Sequence, residues 1–230
     1  MSSEDLTPFL APTKIVDSDH PNVQRFAREH GRGGSPTECV VRLYYAVRDG
    51  LRYEPYEAIL TPEGLRASYG LEIRKGWCVS KAVLLAAGCR ALGIPARLGF
   101  ADVRNHLSTQ RLRETMKTDI FHWHGYTSIL LRDQWVKATP AFNIELCEKF
   151  GLKPLEFDGK QDSIYHPFDR SGNKHMEYLK DRGEFADVPL GAMLDTFREE
   201  YPDMANWTPG GDFAAEAANE NEATLGSRAS

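Results

Sequence analysis

Residues 74–100 read RKGWCVSKAVLLAAGCRALGIPARLGF. Cys78 stands at the front of the apolar helix that this stretch predicts. The first N–H groups of a helix have no intrahelical partner, and with the helix dipole they favour a negative charge. A thiolate is such a charge. A free cysteine ionises near ~8.5, and a helix N-terminus or a neighbouring imidazolium lowers that value. The same N–H groups, at residues 77 to 79, can hold the oxyanion of a tetrahedral intermediate. The chemistry this predicts is nucleophilic acyl transfer, with Cys78 as nucleophile, Val79 as an oxyanion donor and Trp77 as a wall of the acyl pocket or a core aromatic. Gly76 lets the chain turn closely before them. The other cysteines read as packing residues: Cys89 lies near the far end of the same helix, Cys39 early in an amphipathic helix, and Cys147 after Asn-Ile-Glu-Leu.

A cysteine nucleophile needs a base, usually a histidine held by a third group. Two of the histidines fall in FHWHGYTSILL, residues 121–131, which has strand character. His122 and His124 are two apart, so a regular strand puts them on one face and Trp123 on the other. With Cys78 they offer three zinc ligands, but no CxxC pair completes a site, and neither a metal nor a cofactor is expected. His122 therefore reads as a supporting or substrate-side residue, and His106, in a polar loop, as exposed.

Several elements must position these residues. Pro21 opens a first helix over residues 17–30. Ser35, Pro36 and Glu38 form a capping box before a second, with Val40, Leu43, Tyr44 and Val47 as its buried stripe. Residues 51–73 look irregular. The Cys78 helix ends near residue 92, where Gly93 is a natural C′ residue and Pro95 blocks continuation. ARLGFADV follows as a strand, then a polar loop over 104–119. Residues 121–131 and 135–142 form a hairpin around a short turn. PLEFDG is one more candidate strand, and DVPLGAMLDTFREEYP a helix. The segment 208–230, rich in small and acidic residues, reads as a disordered tail. Helices come first and strands later, so the fold class is α+β in a single domain over residues 1–207. Its core is about 37–143 and its C-terminal extension 144–207.

The net charge of −5 and the pI near 5.8 argue against a phosphate-rich partner such as a nucleic acid. No apolar run approaches the ~18 residues of a membrane span, and MSSEDLTPFLAP lacks the pattern of a secretion signal. A cytoplasmic protein with four free thiols is the expectation.

The run GWC…GIPAR…HGYTSILLRDQWVKATPAFN resembles the transglutaminase-like superfamily, whose core is the papain-like cysteine-protease fold. The similarity covers roughly residues 37 to 143, and PFLAPTKIVDSDHP resembles lead-in segments of bacterial members. That family has a cysteine at the front of its central helix, with a histidine and an aspartate on consecutive strands. Aligned on Trp135-Val136 and Pro140, the resemblance implies that His124 is the catalytic histidine. It places Thr139 where the family has aspartate, and a hydroxyl cannot stabilise an imidazolium by charge. Asn143, four residues on, can instead orient the ring as papain-like enzymes do. Asp102 and Asp133 are further candidates. The implied function is acyl transfer on a peptide, protein or small amide, more hydrolytic than transamidating. The rival reading is a non-catalytic module that binds peptide in the same cleft. A depressed thiol pKa favours the enzyme, and one at or above about 8.5 the module.

Overall fold

The computed structural model describes residues 5–105, 108–164, 172, 176–203 and 210–228. His106 lies outside them.

The chain opens with α1 (Pro21–His30), whose N-cap is His20, and α2 (Pro36–Gly50). The Ser35–Glu38 capping box is present on α2: Glu38 accepts from the Ser35 N–H at 2.7 Å, and Ser35 Oγ from the Glu38 N–H at 3.4 Å. Residues 51–73, expected to be irregular, carry short elements: β1 (Arg52–Tyr53), α3 (Pro62–Leu65) and α4 (Ala67–Ile73). Then β2 (Lys75–Gly76) runs parallel to β1 and leads into α5 (Cys78–Ala91).

The centre of the molecule is α5. Every residue from Cys78 to Arg90 is buried, which explains why its sequence is apolar on all sides rather than along one stripe. Burial of Val79, Val83, Leu84 and Leu85 stabilises by roughly 1.5–3 kcal/mol each. α1, α2 and α4 pack on α5 from one side and the sheet from the other. At its end Gly93 has φ +72°, the left-handed conformation that stops the helix.

The sheet is antiparallel, in the order β5-β4-β3-β6, from β3 (Ala96–Asn105), β4 (Ile120–Leu131), β5 (Gln134–Ala138) and β6 (Met176–Phe185). β4 and β5 are the expected hairpin. Arg132 and Asp133 both have positive φ at its turn, as a two-residue type I′ connection requires. Thr127 Oγ1 donates to the Ala82 carbonyl at 2.9 Å and straps β4 to α5.

Elsewhere the structure departs from the sequence reading. The loop expected over 104–119 contains α6 (Gln110–Met116), and Asn143 caps α7 (Ile144–Phe150). PLEFDG forms no strand; the additional strand is β6, further along. The expected helix near 190 is α8 (Leu190–Glu200). The segment expected to be disordered holds α9 (Phe213–Arg228). Phe213 packs edge-on against Tyr53 and Tyr56. Its N–H donates to Glu54 at 3.2 Å, Asp212 pairs with Arg52 at 3.0 Å, and Tyr56 donates to Glu216 at 2.5 Å. These contacts make residues 212–217 part of the domain.

Candidate active site

Cys78 is the first residue of α5, with Trp77 as N-cap. Ser80 Oγ accepts from the Trp77 N–H at 3.0 Å, which fixes the entry into the helix. Cys78 is 6% exposed and lines a cavity with His122 and His124 from β4, together with Trp77 and Tyr53. The cavity is otherwise apolar: Leu112 and Met116 of α6, Phe121 of β4, Phe197 of α8 and Tyr201 complete much of its wall. Thr139 and Asn143 are not among its lining residues.

The backbone N–H groups of Gly125, Val79 and Cys78 itself face the sulfur and favour its thiolate. Burial outweighs them and pushes the thiol up to about 11. This reverses the expected lowering by the helix front. Desolvation of a charge in an apolar cavity is the larger effect, so the resting sulfur is a thiol at neutral pH. Cys89, with no such donors, is pushed by burial to about 12. Cys89 and Cys147 are buried and Cys39 half-buried against the core; no disulfide joins any of the four cysteines.

His122 stands at an irregularity of its strand. The register of β3 and β4 slips by one residue: Ala101 pairs with His124, but Val103 pairs with Phe121. His122 and Trp123 therefore both stand opposite Asp102, and Trp123 takes φ +60° at this bulge. The strand is not regular where the shared face of His122 and His124 was expected; both reach the cavity across the bulge. His122 Nδ1 lies 3.1 Å from Asp102 Oδ2. Tyr201 Oη accepts the His122 N–H at 2.7 Å. The Asp102 carboxylate accepts from Arg182 Nε at 2.9 Å and Nη2 at 2.8 Å, and from the Trp123 N–H at 3.2 Å. Burial works against its charge, but the bonds from Arg182 and His122 hold the carboxyl below its ordinary value.

His124 is 5% exposed. Neither of the two groups proposed from sequence to orient it hydrogen-bonds to its ring among the described residues. The Thr139 hydroxyl is buried and makes no hydrogen bond among the described residues, so it does not hold a ring. The Asn143 amide oxygen accepts from the Tyr53 N–H at 3.0 Å and ties α7 to β1. Asp133 is exposed in the hairpin turn, as expected. Sequence reasoning missed Gly125 as a donor and Arg182 altogether. The signal for Asp102 was present: a carboxylate amid the apolar strand ARLGFADV. Among the described residues no cluster of three or more His, Cys, Asp or Glu side chains is arranged to hold a metal ion, and no helix is long and apolar enough to cross a membrane.

The pattern of the transglutaminase-like superfamily matches residues 24–140, and the chain belongs to that superfamily. Among solved structures it is similar to a candidate cysteine protease from Cytophaga hutchinsonii, with 17% identity, a TM-score of 0.47 and coverage of 80% of this chain and 55% of that one. It is also similar to a candidate protease from Parabacteroides distasonis, with 17% identity, a TM-score of 0.36 and coverage of 50% and 22%. The chain thus spans about half of the first of these proteins and about a fifth of the second. No curated protein matches it.

Proposed function

We propose that the protein is a cysteine acyl-transfer enzyme acting on a peptide, protein or small amide or ester, and that hydrolysis is its normal outcome. The observation that carries this reading is the placement of Cys78, at the front of a buried helix, in one cavity with two imidazoles. A histidine takes the thiol proton as the sulfur attacks the carbonyl carbon. The N–H groups of Cys78 and Val79 receive the oxyanion. The imidazolium returns its proton to the leaving amine, and water resolves the thioester. Because the resting sulfur is protonated, the reaction depends on a general base at the moment of attack. The apolar wall beside Cys78 favours an acyl group with an aliphatic or aromatic side chain. A cytoplasmic setting keeps the thiol reduced.

The test is competition among the cysteines. Exposure alone would make half-buried Cys39 react with iodoacetamide before buried Cys78. The enzyme reading expects the reverse order by peptide mapping, and loss of turnover of apolar peptide esters in Cys78→Ala. Labelling of Cys39 first, with no ester turnover, rejects it.

A second reading, a non-catalytic peptide-binding module, draws on the raised Cys78 thiol and on Thr139 in place of a carboxylate. It expects peptide binding that survives Cys78→Ala, and no acyl-enzyme on mixing with an activated ester.

A further inference from the structure

We propose, resting on the reading of Cys78 as nucleophile, that His122 is the base that serves its sulfur and that Asp102 is the carboxylate that positions this base. In this chain the carboxylate comes from β3, not from the β5 end where Thr139 lies.

A working base has a ring fixed by an acceptor on one nitrogen, leaving the other free to take a proton. His122 meets this. Asp102 sits 3.1 Å from Nδ1 and accepts its proton, while Arg182 directs its N–H groups onto the carboxylate at 2.8 and 2.9 Å. Arg182 Nη2 also lies 3.3 Å from Nδ1, but the carboxylate is the closer partner of both groups. The ring lines the cavity with Cys78, and Glu200 stands 3.7 Å from its other nitrogen, Nε2, outside hydrogen-bond reach. The carboxylate is buried and its neighbours hold it ionised, so it can stabilise an imidazolium as the Thr139 hydroxyl cannot.

The backbone is bent to make this cluster. The β4 bulge sets His122 and Trp123 opposite Asp102. On the other side, β3 and β6 also lose register: Phe100 pairs with Gly183 but Ala101 with Asp181, leaving Arg182 as the extra residue. Bulges on both flanking strands thus converge on one aspartate, and each delivers a side chain to it.

In the reaction the Nε2 lone pair takes the Sγ proton as the sulfur bonds to the carbonyl carbon and the carbonyl π pair moves onto oxygen. The C–N bond then breaks, and the amine leaves with the Nε2 proton. Water next gives a proton to Nε2 as its oxygen bonds to the thioester carbon; the oxyanion then re-forms the carbonyl as the C–S bond breaks, and the Nε2 proton passes to the departing sulfur, which restores the thiol and the neutral ring.

The experiment measures the rate of Cys78 alkylation by iodoacetamide against pH in the full chain, for wild type, His122→Gln, His124→Gln, Asp102→Asn and the double variant Asp102→Asn/His122→Gln. His122→Gln should slow the reaction at pH 7 about 100-fold, more than His124→Gln does, and move its rising limb toward the buried-thiol value. Asp102→Asn should slow it at least about tenfold, and the double variant should match His122→Gln alone, because the carboxylate acts through the ring. A larger loss in His124→Gln than in His122→Gln overturns the assignment and leaves the cysteine reading standing. A double variant slower than His122→Gln overturns the positioning role. Wild-type Cys78 reacting no faster than Cys39 takes both down. Thermal melts accompany each variant; if Asp102→Asn does not fold, the order of the two histidine variants decides.

Discussion

Gly125 and Val79 are in backbone contact: a Cβ on Gly125 would lie 3.0 Å from Val79 Cα and 3.3 Å from Val79 N. The strand after the histidines therefore rests directly on the first turn of α5, so closely that any side chain at this position would crowd the helix backbone. Gly125→Ala must push strand and helix apart, since the obstructing atoms are backbone. The expected outcome is a loss of about 1–3 kcal/mol in stability and a tenfold or larger fall in Cys78 alkylation, read by denaturant melts and stopped-time labelling. Unchanged labelling would show that this contact does not set the site.

Thr139 gives the opposite expectation. Its hydroxyl is buried without a hydrogen bond among the described residues, and replacing an unsatisfied polar atom by an apolar isostere is near neutral or stabilising. Thr139→Val should leave stability within about 0.5 kcal/mol or raise it, and alter the alkylation rate less than twofold. A large fall in rate with an unchanged melt would restore Thr139 as a partner of the base. Thr139→Asp buries a charge and should destabilise strongly.

Lys81, one turn beyond Cys78, is fully buried and donates to the Arg48 and Leu51 carbonyls at 2.8 Å each. These carbonyls end α2, so the amine acts as its C-terminal cap. Burial pulls this ammonium down to about 7. The unfolded chain, with an ordinary value near ~10.4, then binds more protons between those limits, and stability rises with pH across that window. Below about 7 the folded lysine is charged as well and the gain is absent. Relative to Lys81→Met, wild type should gain on the order of 4 kcal/mol between pH 7 and pH 10, measured by urea unfolding. A pH-independent difference would contradict the depressed value.

How much of this was legible in the sequence follows from which interactions are local. Trp-Cys before an apolar run and Gly-Ile-Pro after it mark α5 by capping and chain-breaking, both local effects. The hairpin announces itself by aromatic residues and a short polar turn. β6 did not, because it is a sheet edge with much of its surface in solvent, so MEYLKDRGEF carries little apolar alternation. The bulge at His122 and Trp123 is one extra residue in one strand, visible only against its partner. The support of His122 by Asp102 and Arg182 was hidden for the same reason: it joins three strands. The conflict at Cys78 between helix front and apolar cavity was half visible, since the helix can be read from sequence and the desolvation cannot.

α9 was misread on composition. PGGDFAAEAANENEATL is poor in large apolar residues, but alanine is the best helix former and one aromatic suffices to dock it. Phe213 is 4% exposed between Tyr53 and Tyr56. Phe213→Ala should cost about 3 kcal/mol and, because Tyr53 walls the cavity, should also weaken binding of apolar esters. A disordered segment would show neither effect in a melt or a titration.

The bulges beside Asp102 give the geometry of this site an arithmetic character. Each irregularity is a single surplus amino acid, so losing one codon from β4 near Trp123 would straighten that ribbon and turn the imidazole away from its acid, with no other letter of the gene altered. Such a frame-preserving deletion would be silent to any measure of composition or hydropathy. In this protein the count of residues between two turns carries as much chemical information as their identity.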